Sequence, residues 1–400
     1  MDRITHNMIK YDHPGIGLAL IVFLFSFVTL ETWKKYSLEP TSMIHFGQEF
    51  VDQNREYMPD KAIVEKGSEG DLGAGYDGQI FYFYSRTINS FSQNWPKGFD
   101  ESYRAPRIGY PLLISITGVF GPGGAIFGMY FWNVLLFSLS YLALRGLLER
   151  YSYLSIFYVL SPFALGSYSV LVSDTVMMSL VIISYYFYRK EKYFLFIPLA
   201  SLAILTKEPA FFLYFPLGLS EFFTKKWKKS LIVLSILIIP FSWHFYLHLT
   251  FPNWKPTRLA DFIAPMEVIS TYLSTLFRLG SEGDLREIAR ALSRLPLLIL
   301  LVLGIHSSFI GISRRGRIYR LGLLLNFFMI FSASYYHFWS VYENVSRMFT
   351  FSVPLMILLA KEDGEIRRRK FFYTMIFVLF LFLIKVALIQ KAQIHILWEK

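Results

Sequence analysis

The 400 residues contain no cysteine, and only 17% of them are charged. The first absence excludes disulfides and thiolate metal sites. The second is well short of the roughly 25% found in soluble domains, which argues against a string of soluble domains. There is no internal repeat and no low-complexity tract. Nor does a small-residue cleavage site follow the first apolar run. Glu31-Thr32-Trp33-Lys34-Lys35 comes next and reads as an interfacial anchor, so the run is expected to stay in the protein as a first membrane helix.

What is present is apolar surface: 54% of residues are hydrophobic and 18% aromatic. The stretches Ile16 to Leu30 and Phe371 to Ile384 carry no charge at all. Runs of this kind approach the roughly 20 apolar residues that a helix needs to cross a bilayer. In lipid the backbone must satisfy its own hydrogen bonds, so these runs are expected to be helices. The composition predicts an all-α, polytopic integral membrane protein, a single domain over 1–400.

The net charge of +11 is distributed as a topology signal and does not point to nucleic acid. Five short loops (Arg145 to Arg150, Arg189 to Lys192, Lys225 to Lys229, Arg314 to Arg320, Lys361 to Lys370) hold 18 Lys and Arg against 5 acidic residues. The long segment from Trp33 to Arg107 holds 9 basic and 11 acidic residues. By the positive-inside rule the short loops and the N-terminus are cytoplasmic, and 33–107 is a large first external loop. The hydrophobic pattern then gives about ten or eleven membrane helices, several of them short, with a second external loop at 251–295. Between Ile108 and Leu144 a short and a full apolar stretch meet at Gly121-Pro122-Gly123-Gly124, and charge counting leaves open whether the short one spans or re-enters.

The first external loop carries the chemistry. After Gly75-Tyr76-Asp77-Gly78-Gln79, apolar residues recur at Ile80, Phe83, Tyr84, Ile88 and Phe91, the spacing of one helical face. This predicts an amphipathic helix lying in the membrane surface, with Asp77 at its start. Asp77 suits the N-terminus of such a helix, and capping can coexist with a chemical role. Downstream, Asp100-Glu101-Ser102-Tyr103-Arg104-Ala105-Pro106-Arg107 places two arginines where Pro106 would open a new helix, a plausible phosphate site. Without the motif described below, those arginines read as interfacial anchors. Asp174 falls at a short outer turn, where a solvated acid needs no special role. Lys207 and Glu208 sit in a turn and read as an ion pair or, for Lys207, a donor-phosphate contact. His244 and His248, four apart on a helix, have no third metal ligand in view.

The segment Gly75 to Leu113, 39 of the 400 residues, resembles the first external loop of GT-C-fold glycosyltransferases. The likeness is to bacterial families reading roughly G-Y-D-G-Q-x-Y-Y, then an acidic residue, then Y-R-x-x-R-x-x-Y-P-L-L. It is similar more distantly to the mannosyltransferases of GPI-anchor synthesis. The resemblance implies a GT-C-like bundle in the plasma (bacterial inner) membrane with an external, periplasmic active site. The donor would be a polyprenyl-phosphate sugar, and the acceptor a hydroxyl on a glycan, lipid or protein. It implies Asp77 as catalytic base and Arg104 and Arg107 as phosphate contacts. Tyr342-Glu343-Asn344-Val345-Ser346-Arg347 is similar to a late polar loop of these enzymes, which adds Arg347 to the phosphate contacts. Tyr76, Gln79, Asp100, Tyr103 and Glu343 are the expected substrate contacts.

The chain departs from the family in two ways. Forty residues, Lys35 to Ala74, intervene between the first helix and Asp77, and no second carboxylate stands beside Asp77. No cofactor is required by the sequence, and a divalent metal is left open. The rival expectation is a lipid-sugar flippase or transporter without catalysis; transporters usually show related halves, and none is seen.

Overall fold

The structure, a computed structural model, describes residues 12–67, 75–91, 94–251, 253–255, 266–282, 285–311, 313, 316–333, 337–364, 368–389 and 394–399. The expected cytoplasmic N-terminal tail and part of the 251–295 loop lie outside these residues.

The first apolar run is helix α1, Pro14–Lys34. It begins with a proline, whose missing N–H is not needed there, and the His13 side chain accepts from Gly15 N–H at 3.1 Å. After α1 the chain folds into a small layer: strand β1 (Phe46–Gly47), helix α2 (Gln48–Gln53) and strand β2 (Lys61–Lys66). Helix α3 (Asp77–Asn89) follows, then the one-turn α4 (Glu101–Arg104) and α5 (Gly109–Gly118). At 1.5 Å per residue the 10-residue α5 covers about 15 Å, half of a hydrocarbon core of about 30 Å, so it does not cross alone. Gly121, at φ +95°, makes the turn into the long α6 (Pro122–Leu148).

The remaining described helices are α7 (Ile156–Val159), α8 (Pro162–Tyr168), α9 (Asp174–Arg189), α10 (Tyr193–Thr206), α11 (Phe211–Phe223), α12 (Trp227–Ser235) and α13 (Ile238–Thr250). Then come α14 (Glu267–Glu282), α15 (Leu285–Leu292), α16 (Leu295–Phe309) and α17 (Arg317–Ser332). The last are α18 (His337–Ser340), α19 (Tyr342–Met348), α20 (Ser352–Asp363) and α21 (Arg369–Leu388). A final strand, β3 (Ile394–Glu399), closes the chain.

Among the described residues five helical stretches are long and apolar enough to cross a membrane: Pro14–Lys34, Pro122–Val159, Trp227–Thr250, Glu287–Phe309 and Arg369–Leu388. Their outward faces carry exposed large apolar side chains such as Phe23, Leu139, Phe245, Val302 and Phe380. Exposed apolar side chains in such number are consistent with a membrane or partner surface. The shorter helices α9 and α20 are buried on nearly all sides instead. Apolar all round and enclosed by longer neighbours, they form the centre of the bundle.

The described residues are predominantly helical, in keeping with the all-α expectation, and β1, β2 and β3 add one small three-stranded sheet in that order. Phe46 pairs in parallel with Val64, while β2 runs antiparallel to β3 from Lys61↔Glu399 to Lys66↔Ile394. The C-terminus thus returns to the loop that follows α1, and Lys35 Nζ donates to the Ile389 carbonyl at 2.8 Å where the two meet. One expectation is corrected: α3 does not lie on a surface. Gln79 and Tyr82, which fall outside its apolar face, are both fully buried. Phe46 and Phe50 pack on one side of α3 and Tyr110 of α5 on another, so the folded loop covers the face that water or headgroups would otherwise take.

Polar groups gather at the two ends of the bundle. At one end Arg145 pairs with Asp12, Lys361 Nζ donates to the Leu147 carbonyl at 2.7 Å, Lys229 meets Glu191 at 2.7 Å, and Arg320 meets Asp363 at 2.9 Å. These residues belong to or adjoin the basic loops. The opposite end holds Asp77, Arg104, Arg347, Lys207 and Asp174.

Candidate active site

Asp77 is the first residue of α3. Tyr76 before it is extended (φ −128°, ψ 172°), and its N–H donates to the His45 carbonyl at 2.9 Å. The helix start is pinned further by Gln79, whose Oε1 accepts from Gly47 N–H at 2.9 Å. Gly78 lies in a tight crossing of backbones. A Cβ there would come within 2.7 Å of the Ile44 carbonyl oxygen and 2.8 Å of the Val170 oxygen. Both obstacles are main chain and cannot swing aside. Gly78→Ala is therefore expected to destabilise the protein by about 1–3 kcal/mol, as overpacking does, and to displace Asp77. Thermal unfolding of the purified variant checks this; a wild-type midpoint would mean that the crossing opens freely.

Two guanidinium groups hold the Asp77 carboxylate. Arg104 Nη1 lies 2.7 Å from Oδ1, and Arg347 Nη1 lies 2.7 Å from Oδ2. Arg104 is supplied by the short α4, which Asp100 caps by accepting from Tyr103 N–H at 3.2 Å. Arg347 comes from α19, 270 residues further along the chain. The side chains of Asp77, Arg104 and Arg347 keep 22%, 18% and 13% of their surface exposed, so the cluster is recessed yet accessible. Burial alone would push the Asp77 carboxyl up. Arg104 and Arg347 outweigh it and hold the group well below the usual carboxylate range. Burial likewise works against the Arg347 cation, and Tyr76, Asp77 and Asp174 together keep it charged.

Tyr76 faces the same cluster. The Arg347 guanidinium sits 5.3 Å from its ring centroid, and its hydroxyl donates to Asn344 Oδ1. Burial pushes that hydroxyl well above the ordinary phenol range, so Tyr76 remains a donor.

The other expected site residues have different partners. Arg107 donates through Nε and an Nη to the two oxygens of Glu208, each at 2.9 Å, and its guanidinium stacks on Tyr103 at 3.9 Å. The fork is thus occupied by a carboxylate and is not turned to Asp77. Lys207 pairs with Asp174 at 2.6 Å, so neighbouring Lys207 and Glu208 bind different partners, not each other. Glu343 pairs with Lys385 of α21 and leaves Arg347 to Asp77. Asp174 is not solvated at a turn: it is 4% exposed and opens α9. Among the described residues no group of three or more His, Asp or Glu could hold a metal ion.

The Asp174–Lys207 pair and the Tyr76–Asn344 contact were missed from sequence. Ser173-Asp174 before an apolar helix looks like any outer turn, and nothing local distinguishes a buried carboxylate from a solvated one.

The chain matches no family model, no curated protein and no solved structure. Two convergent guanidinium groups, each with five N–H donors, form a receptor for an oxyanion. In this structure their anion is the protein's own carboxylate.

Proposed function

We propose that the protein is a membrane glycosyltransferase of GT-C type. It would move a sugar from a polyprenyl-phosphate carrier to an acceptor hydroxyl, with inversion, at the external face of the plasma membrane. The observation that carries this is the Asp77 carboxylate bridged by Arg104 and Arg347 at the end of the bundle remote from the basic loops. Nucleotide sugars are confined to the cytoplasm, so transfer outside requires a donor carried on lipid. The lipid phosphate is a good leaving group and needs no acid. One base and a cationic receptor for the phosphate are sufficient, unlike the facing carboxylates of glycosidases.

The resting site is off duty as a base, because its two cations hold Asp77 charged and engaged. When the donor phosphate arrives, its oxygens compete for Arg104 and Arg347. As those contacts pass to phosphate, the carboxylate loses the charges that depressed it and rises toward the ordinary carboxylate range. Asp77 then accepts the proton of the acceptor hydroxyl. The acceptor oxygen bonds to the anomeric carbon, and the bond from that carbon to the phosphate oxygen breaks with its electron pair left on phosphate. Arg107, held by Glu208, shapes the site through Tyr103.

This sequence has a pH signature. The free protein's Asp77 protonates only well below the ordinary range, so kcat/KM is expected to show no acid limb from it between roughly pH 4.5 and 8. In the donor complex its value has risen, so kcat is expected to fall on the acid side at a higher pH than kcat/KM. Acid limbs at the same pH in both profiles would mean that donor binding does not release the carboxylate. The direct assay is release of free polyprenyl phosphate from a panel of polyprenyl-phosphate sugars by the purified protein. Movement of the intact lipid across vesicles without that release would favour the flippase alternative.

A further inference from the structure

The proposed transfer leaves one buried carboxylate at this end of the bundle unassigned. Asp174 has Lys207 Nζ 2.6 Å from Oδ1, while its Oδ2, also buried, has no hydrogen-bond partner among the described residues. Leaving a buried charged oxygen without a donor is costly. Such gaps in folded proteins are normally filled by water or a ligand.

The fold sets this pair beside the Asp77 cluster. The turn before α9 presses on α3, with the Val170 carbonyl 2.8 Å from where a Cβ on Gly78 would stand. The end of α10, just before Lys207, presses on α5 just after Arg107. A Cβ on Gly109 would lie 2.4 Å from Thr206 Oγ1. Asp174 also acts electrostatically on both Arg347 and Tyr76.

The surroundings select the ligand. A second cation is disfavoured, since Lys207 and Arg347 already supply positive charge. An anion is repelled by the carboxylate and has the arginine pair to go to. A neutral O–H donor fits the free oxygen. Lys207 has three N–H donors, only one of which faces Asp174, so an acceptor beside that hydroxyl is also provided for.

We infer that Asp174 and Lys207 form a sugar subsite that reads two adjacent hydroxyl groups of the donor's pyranose or furanose ring, Oδ2 accepting from one and Nζ donating to the oxygen of its neighbour. The inference rests on the glycosyl-transfer reading and assigns to that site a donor sugar with a vicinal diol. Asp174 and Lys207 here are specificity residues; the base remains Asp77.

The test is binding, measured by titration calorimetry in detergent. The probes are citronellyl phosphate, bare or carrying mannose, glucose or arabinose. At least one conjugate is expected to bind the wild-type protein about tenfold or more tightly than the bare phosphate, the range of one hydrogen bond to a charged group. Asp174→Asn and Lys207→Met are expected to lose that advantage while keeping the affinity for bare phosphate, which also shows that they are folded. Removing the hydroxyl read by Asp174 should weaken binding to the wild type and leave Asp174→Asn indifferent. If Asp174→Asn fails to fold, Lys207→Arg decides: it keeps the ion pair but swaps the ammonium for a planar fork, and is expected to lose much of the advantage. The subsite is overturned if no conjugate outbinds bare phosphate, or if the advantage survives in these variants. Binding of a conjugate but not of bare phosphate would remove the phosphate role of the arginine pair and leave the sugar subsite standing.

Discussion

Asp77→Asn is expected to abolish sugar transfer, by about a thousandfold or more, and at the same time to strengthen the binding of bare citronellyl phosphate. The first effect is that of removing a positioned base, which contributes about 10²–10⁴ in rate. The second follows from the two guanidinium groups now holding the carboxylate. An asparagine at 77 can accept from one of them through its oxygen, but its NH₂ then faces the other. One hydrogen bond is lost and no negative charge remains between the two guanidinium groups, so an incoming phosphate no longer displaces an anion. Hydrogen bonds to charged groups are worth about 1.5–3 kcal/mol, so the gain is expected to be about tenfold to a hundredfold. The opposing changes separate a base from a structural brace. If Asp77 only tied α3 to α19, the Asn variant would lose phosphate binding, transfer and thermal stability together. The sign with pH agrees. The folded carboxyl is depressed, so its contribution to stability is complete above its unfolded value of about 3.9 and is lost as pH falls through the lower folded value. At neutral pH the clamp is at full strength.

The largest stability effect is expected at the other end of the bundle. Asp363, the last residue of α20, is 1% exposed at its side chain and shared by two arginines. Arg320 Nη2 lies 2.9 Å and Arg368 Nη2 3.2 Å from its Oδ2, and Arg368 is fully buried. Asp363→Ala removes the carboxylate both cations share, a change that costs about 3–5 kcal/mol at buried pairs. The thermal midpoint in detergent should fall accordingly. Transfer by the protein that remains folded should be near wild type, because the Asp77 cluster is at the far end. Replacing Asp363 and Arg368 together by Leu and Met should recover much of the loss, since the penalty is an uncompensated buried charge and not a missing attraction. An Asp363→Ala protein that unfolds with the wild type would show that this charge cluster is solvated in practice.

Some of this was legible in the residues alone. Charge-free runs such as Ile16 to Leu30 become helices because a local apolar pattern suffices to specify them, and Gly121-Pro122 marked the break before α6 for equally local reasons. Asp77 at the head of a helix and Arg104 on the following turn were readable as candidates, because side-chain type and chain position were all that was needed. Their pairing was not. Arg347 could be proposed as a phosphate contact, but that it would take one Asp77 oxygen while Arg104 took the other depends on α19 being carried to the start of α3. Arg107 and Lys207 show the same limit from the other side. Both were expected at phosphate, and each instead has an acidic partner contributed by a distant element, Glu208 for one and Asp174 for the other.

Long-range packing also decided the environment of α3. Its periodicity predicted a surface helix, and the helix formed. Its polar face is nonetheless buried, because the chain between α1 and α3 folds over it. The sheet that covers this region needed β3, a six-residue strand from the far end of the sequence. No local pattern in Lys61–Lys66 announces a partner more than 300 residues away.

The sequence by itself determined that this is a helical chain with membrane-length apolar segments and a small set of charged residues available for chemistry. These follow from composition and short-range periodicity, which act through neighbours along the chain. Only the tertiary structure decided which charges neutralise one another, which carboxylate is buried with an unused oxygen, and which helices are enclosed. Coulomb interaction and burial depend on separation in space, and that is set when α3, α9, α10 and α19 meet at one end of the bundle.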